Sequence, residues 1–228
     1  MTVTVTVDGE ESTLLPLASV HFPPVTALQH PTRAWWASAR QNRQMLCFTD
    51  PLARPTRVVV AGVSGVGKST LARRVSEGLD LPYTEIDGLY HGAGWTPRPE
   101  FLADVELFTR EPTWITEWQY RDARPLLSAR ADTLVWLDLP SAIAVSRVVR
   151  RTITRSRTRL ELWNGNIEPG LWHALVNREG IIRWALAHQR SYLRSVPIAA
   201  REHPHLQVVR LRSQRAVEAW LAGPLAAC

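Results

Sequence analysis

The chain contains a single lysine. Of its 27 basic residues, 26 are arginine, and Lys68 carries the only side-chain ammonium among 228 residues. That scarcity argues against a lysine-rich membrane patch, a lysine-laced coiled coil and a DNA-wrapping lysine tail. Cysteine is also scarce: Cys47 and Cys228 are too few for a disulfide framework and read as free thiols of a reducing compartment. No run approaches the roughly 18 apolar residues needed to cross a bilayer. The nearest, LLPLASVHFPPVTAL, is interrupted by Pro16, His21, Pro23 and Pro24. The opening MTVTVTVDGEES lacks both a positive segment and an apolar one, so no secretory signal is expected and a cytoplasmic location is.

What is present is a chain 45% hydrophobic and 21% charged, able to bury a core. Its net charge of +6 is unevenly placed. Residues 141–194 hold ten arginines and three glutamates, a net of +7, so the remainder sums to −1. Between 147 and 159 stand Arg147, Arg150, Arg151, Arg155, Arg157 and Arg159 with no acid. Such a block attracts polyanions, either nucleotide phosphates or nucleic acid.

Residues 1–54 are rich in proline and lack a sustained period, which predicts an N-terminal extension, partly disordered, with MTVTVTV as a short strand. From residue 55 to 228 the texture alternates. Strands are expected at 57–62, 84–88, 113–118, 131–140 and 205–212, and helices at 68–79, 98–110, 141–155, 177–194 (stopped before Pro197) and 213–223, the last capped by Ser213. Alternation of this kind predicts an α/β fold, a parallel sheet covered on both faces.

The segment GVSGVGKST, residues 62–70, fits G-x-x-x-x-G-K-[ST], with a strand before it and a helix after. Gly62, Ser64, Gly65, Val66 and Gly67 let backbone N–H groups converge on phosphate oxygens, and the following helix offers its positive end. Lys68 reaches the β- and γ-phosphates, Ser69 ligates Mg²⁺, and Thr70 follows in the first helical turn. ATP and Mg²⁺ are therefore the expected ligands. The GTPase signature N-K-x-D, which requires a second lysine, is absent, and that argues against a GTPase.

The chain resembles nucleoside-monophosphate-kinase-type P-loop proteins. More narrowly, it is similar to bacterial proteins described as adenylate kinase-like or DNA topology modulation (FlaR-type) P-loop ATPases. GVSGVGKSTLARR, EIDGLYHGAGWTPRPEF, WITEWQY, ADTLVWLDLP, RVVRRT and ELWNGNIE carry the resemblance, which spans about 55–222. It implies a three-layer α/β/α P-loop fold with five parallel strands in order 2-3-1-4-5 and an arginine-rich helical lid at about 147–176. It implies Arg147 and Arg151 on ATP, Glu117 on Mg²⁺ through water, and Arg121 on an acceptor phosphate. Trp118 stands where adenylate kinases have glycine, and Tyr120 matches a tyrosine of the FlaR-type relatives.

Asp87, closing the second expected strand, is a candidate to orient an acceptor hydroxyl; as part of a D-G pair it reads equally as a turn residue. His91, Trp95 and Arg98 lie in a loop placed to cover the acceptor, with Trp95 either stacking on a ring or plugging the core. On a helical wheel Arg147, Arg150 and Arg151 share one face, opposite Val145, Val148, Val149 and Thr152. The predicted activity is transfer of the ATP γ-phosphoryl group to a small-molecule or nucleotide acceptor, with Lys68, Asp87, Glu117 and Arg151 as catalytic candidates. The alternative is a nucleotide-dependent regulatory protein that contacts nucleic acid through the arginine block. No DNA-reading motif accompanies that block.

Overall fold

The computed structural model describes residues 4–7, 10–13, 45–158, 163–166 and 191–228. The chain divides into two compact units, Met1–Ser38 and Ala39–Cys228. In the first, β1 (Thr4–Val7) and β2 (Glu10–Thr13) pair antiparallel, Thr4 opposite Thr13 and Val7 opposite Glu10. The expected strand in MTVTVTV is thus one arm of a hairpin.

The second unit is built on a five-stranded parallel sheet of β3 (Met45–Leu46), β4 (Arg57–Ala61), β5 (Trp114–Glu117), β6 (Thr133–Leu137) and β7 (Gln207–Leu211), in spatial order β3-β7-β6-β4-β5. Parallel strands covered on both faces read as continuous apolar runs. Val58, Val59, Val60, Ala61, Ile115, Leu134, Val135 and Val208 are accordingly buried without exception. In register, Val60 sits between Glu117 of β5 and Val135 of β6. The C-terminal ends of these strands are where the loops of the site begin.

The α/β class with a five-stranded parallel sheet matches the expectation; the membership of one strand differs. Residues 84–88 do not form the second strand. Only Tyr83 bridges Ile115, supported by Ile115 N donating to Pro82 O at 2.9 Å and Thr84 N donating to Ile115 O at 3.0 Å. The chain then leaves the sheet because the Glu117 carboxylate captures the Ile86 N–H at 3.2 Å and starts a short helix. The fifth strand comes instead from β3, at the opposite edge, within the segment read as an extension. It pairs Met45 with Val208 and Leu46 with Val209.

The helices are α1 (Lys68–Leu79), α2 (Ile86–Tyr90), α3 (Phe101–Phe108), α4 (Arg124–Arg130), α5 (Ser141–Thr158) and α6 (Gln214–Trp220), with helical residues 191–202 before β7. α1 buries Leu71, Ala72, Val75 and Leu79, the i, i+4, i+8 stripe of the sequence plus its neighbour. Ser213 caps α6, its Oγ accepting from Ala216 N at 3.1 Å. The helix expected to stop before Pro197 continues through it. Tyr192, Val196, Ala199 and Ala200 are buried there at helical spacing, and that packing offsets the lost N–H of proline. The start of that expected helix, residues 177–190, lies outside the described residues, as do 159–162 and 167–176 of the expected lid. No helix among the described residues is long and apolar enough to cross a membrane.

Candidate active site

The P-loop runs from the end of β4 to the start of α1. Gly65 (φ +78°) and Gly67 (φ +108°) take left-handed backbone conformations that side chains disfavour. Space is the second reason for Gly65: a Cβ there would lie 2.6 Å from Ala144 O and closer still to Val148 Cγ2, both on α5. Val66 N donates to Val63 O at 3.2 Å and Leu71 N to Gly67 O at 2.9 Å, closing the loop onto the first turn of α1. Lys68 is buried, its Nζ donating to Val63 O at 3.3 Å. Ser69 is half-buried and Thr70 exposed; both line the cleft above the loop.

This cleft has a volume of about 610 Å³. Ser64, Gly65, Val66, Gly67 and Lys68 form its floor, and Glu85, Asp87, His91 and Trp95 its opposite wall. Arg147 closes one end. Its Nη1 donates to Val66 O at 2.8 Å and its Nη2 to Gln214 Oε1 at 3.0 Å. The face of α5 that meets the P-loop includes Ala144, Arg147 and Val148, so Val148 packs against the loop beside Arg147. Arg150 is exposed. The side chain of Arg151 lies outside the described residues, as do those of Arg155 and Arg157, and Arg159 altogether.

The two carboxylates singled out in the sequence have different surroundings. Glu117, at the C-terminal end of β5, is 2% exposed. Its Oε1 accepts from Tyr83 OH at 2.6 Å and its Oε2 from Ile86 N at 3.2 Å. Both oxygens anchor the 83–86 segment, and Glu117 does not line the cleft. Burial, first, and then the Glu117 charge push the Tyr83 phenol well above its ordinary value, so it stays a proton donor.

Asp87 is half-buried on α2 and faces the cleft. Its Oδ1 accepts from Tyr120 OH at 2.6 Å and from Gln119 Nε2 at 2.5 Å. Oδ2 has no hydrogen-bond partner among the described residues. One oxygen is thereby fixed and the other left for a ligand. Tyr120 reaches it from a left-handed backbone conformation (φ +55°), a strained geometry for a tyrosine. Its ring stacks on Tyr90 at 3.8 Å between centroids and meets Phe101 edge-on at 5.2 Å. Burial, then the bond to Asp87, hold its phenol protonated. His91 Nε2 lies 3.2 Å from the same hydroxyl. Gln119 was invisible in the sequence reading, and Tyr120 entered only through the resemblance. Their signal is position: they directly follow a strand that ends at the P-loop side of the sheet.

The 91–98 loop is held from two directions. Asn166, buried, accepts from Trp95 N at 3.0 Å and donates to Gly92 O at 2.8 Å, while Asn164 Nδ2 donates to His91 O. Asn164 and Asn166, within the expected lid segment, thus clamp the loop that walls the cleft. Arg98 points elsewhere: its guanidinium pairs with Asp104 at 3.0 Å and donates to Leu89 O at 3.2 Å, so it fastens the loop to α3 and does not line the cleft. Asp138 forms an ion pair with Arg210 across β6 and β7, and Arg210 also lies over the Trp136 ring at 4.4 Å. That pair is a half-buried tie between the ends of the two strands.

A second cavity, about 980 Å³, opens on the other side of Lys68. It shares Ser64, Lys68, Gln119 and Tyr120 with the cleft and is otherwise lined by α4 and helical residues 191–202. The exposed Arg121 lies on its rim.

The donor set fits Mg·ATP. Converging loop amides, a lysine and a helix N-terminus suit the phosphates, and Ser69 is placed to ligate the cation. Among the described residues no cluster of three or more His, Cys, Asp or Glu is assembled as a metal site.

No protein-family model and no curated protein matches the chain. Among solved structures it is similar to a gluconokinase from Sinorhizobium meliloti, at 20% identity and TM-score 0.46 over 77% of this chain and 94% of that one. It is also similar to a shikimate kinase from Acinetobacter baumannii in complex with shikimate (16%, TM-score 0.45, 73% and 89%) and to a sugar kinase from a Janibacter species (21%, TM-score 0.39, 76% and 99%). Likeness at this level decides no activity; the site's own geometry has to carry the reading.

Proposed function

We propose that the chain is an ATP-dependent phosphotransferase of the adenylate kinase-like, FlaR-type group. It moves the ATP γ-phosphoryl group to a hydroxyl of a small-molecule or nucleotide acceptor. The observation that carries this reading is Asp87: one oxygen pinned by Gln119 and Tyr120, the other open, in the same cleft as the P-loop and Lys68. A carboxylate pinned across from the phosphate loop suits a kinase, because the acceptor hydroxyl must be oriented and must lose its proton as the new P–O bond forms.

In this reading the loop amides and Lys68 hold the β- and γ-phosphates, and Arg147 steadies the loop through Val66 O. Ser69 would hold Mg²⁺, whose charge would offset that of the phosphates. Asp87 Oδ2 receives the hydroxyl proton, while His91 and Trp95 wall the acceptor in. Arg151 is proposed to add charge from the lid. Transfer is then mostly positioning and electrostatics.

The test is a coupled ADP-release screen with Mg·ATP against nucleosides, nucleotides and small hydroxyl compounds, run on the native chain and on Lys68→Ala. An acceptor that accelerates ADP release in the native chain only is the expected result. Acceleration that survives Lys68→Ala, or its absence with every compound, overturns the assignment.

A further inference from the structure

The cavity beyond Lys68 holds an arginine that the proposed reaction has not used. Arg124, at the first position of α4, sits on two aromatic rings, its Cζ 4.6 Å from the Trp118 ring and 4.8 Å from the Tyr192 ring. The rings themselves are 6.0 Å apart, so the guanidinium rests in the notch between them. Its Nη2 donates to Tyr192 OH at 3.0 Å, and that hydroxyl donates onward to Trp118 O at 3.4 Å. Trp118 is fixed in turn by its Nε1 bond to Ser128 Oγ at 2.9 Å. The ring that replaces a small residue in the resembling kinases is thus the seat of this arginine.

What Arg124 lacks is an acid. It forms no ion pair with any described residue, and its Nε is buried without a hydrogen-bond partner. A guanidinium has five N–H donors and no acceptor capacity. One donor is spent on Tyr192. A cation that is partly desolvated, immobilised by packing and left with unspent donors favours binding an anion. The surroundings reinforce this: Lys68 and Arg121 also line the cavity, against one carboxylate among the described lining residues, that of Glu202, while Ser191 and Ser195 add hydroxyls.

The position relative to the proposed chemistry is the second observation. Gln119 and Tyr120, which pin Asp87, line the cavity as well as the cleft. A molecule with its hydroxyl at Asp87 can therefore extend past Tyr120 toward Arg124. We infer that the phosphoryl acceptor is anionic, a hydroxyl compound bearing a carboxylate or a phosphate, and that Arg124 reads that group. This rests on the phosphotransferase reading above and narrows its acceptor class. No bond is made or broken at Arg124; it positions the acceptor.

Two measurements separate the claims. Isothermal titration of inorganic phosphate is made on the native chain already saturated with Mg·AMP-PNP, so that the P-loop is filled. Phosphate is expected to bind at one further site, weakened at least about tenfold by Arg124→Gln and less by Arg124→Lys, which keeps charge but loses the planar fork. No binding to the native chain, or binding that Arg124→Gln leaves intact while its circular dichroism is native, overturns the inference. Failure of AMP-PNP to bind at all would count against the phosphotransferase reading alone, since the phosphate titration can still be read with the P-loop blocked by pyrophosphate. The ADP-release screen then distinguishes the sources, with sugar acids as the carboxylate arm, nucleoside monophosphates as the phosphate arm and neutral sugars and nucleosides as controls. Acceleration is expected in one anionic arm, with KM rising more than kcat falls in Arg124→Lys. A neutral compound that matches or exceeds both anionic arms overturns the inference.

Discussion

The two walls of the cleft are made of different material. The P-loop wall is backbone: amides of residues 64–69 shaped by glycines at positive φ, with Lys68 and the side chains of Arg73, Arg74 and Arg147 added. The facing wall is side chain: Asp87, Gln119, Tyr120 and His91, drawn from α2 and the loop after β5 and held by an aromatic stack. A backbone wall depends on a short contiguous stretch and tolerates no added atoms. A side-chain wall depends on residues more than 30 positions apart, each replaceable at graded cost.

That contrast breaks first at the backbone. Gly65→Ala is expected to have the largest effect, since the new methyl would enter α5 at Ala144 O and force a left-handed φ on alanine. Loss of AMP-PNP binding and destabilisation of about 2 kcal/mol or more should appear in calorimetry and thermal unfolding. Next, Asp87→Asn should lower kcat by about 100-fold or more while AMP-PNP affinity holds within a few-fold, as expected for loss of a proton acceptor. Wild-type kcat in that variant would put the base elsewhere. Tyr120→Phe removes one of the two bonds to Oδ1 and should cost about tenfold, a loss near 1.4 kcal/mol in the transition state.

The two acids sharpen the comparison further. Glu117→Gln alters a buried anchor, so its cost should fall on stability, about 1–3 kcal/mol in denaturant unfolding, from imperfectly paired Tyr83 OH and Ile86 N–H. A kcat loss equal to that of Asp87→Asn would return Glu117 to the chemistry. The smallest effect is expected at the exposed Arg74–Glu218 pair. The hydrogen bond from Arg74, and then that from Gln214, lowers the Glu218 carboxyl from 4.5 to about 2. Because the folded value lies below the unfolded one, the pair's contribution is complete above about pH 4.5 and fades as pH falls toward 2. Native and Glu218→Gln chains should therefore differ slightly in thermal midpoint at pH 7 and converge at pH 2.

Legibility in the sequence followed the same division. The P-loop was readable because its constraints are local: glycine at fixed offsets, lysine, serine, a β-branched run before and helix formers after. The central strands were readable for the same reason, as buried runs. The edge was not. Residues 84–88 satisfy a strand pattern, but a carboxylate 31 residues away from Ile86 takes the N–H that a strand would have used. Helix propensity rules placed a stop at Pro197, and tertiary burial of Val196 and Ala199 overrode it. Asp87 was legible as an acid near the phosphates, yet its partners Gln119 and Tyr120 carry no motif. Arg124 was silent, because nothing local separates it from the other arginines.

The two-residue strand β3 has a consequence for handling the protein. It occupies the outer side of β7, where Val208 and Val209 are buried in the core. A chain cut back to the start of the apparent P-loop domain would retain every residue of the cleft and still leave the β7 edge at Val208 and Val209 without its partner strand. Open edges of that kind template pairing with other chains. The brief pairing of Met45 and Leu46 is thus expected to protect the protein's colloidal state, and a shortened chain should be judged by light scattering at rising concentration before its activity is judged at all.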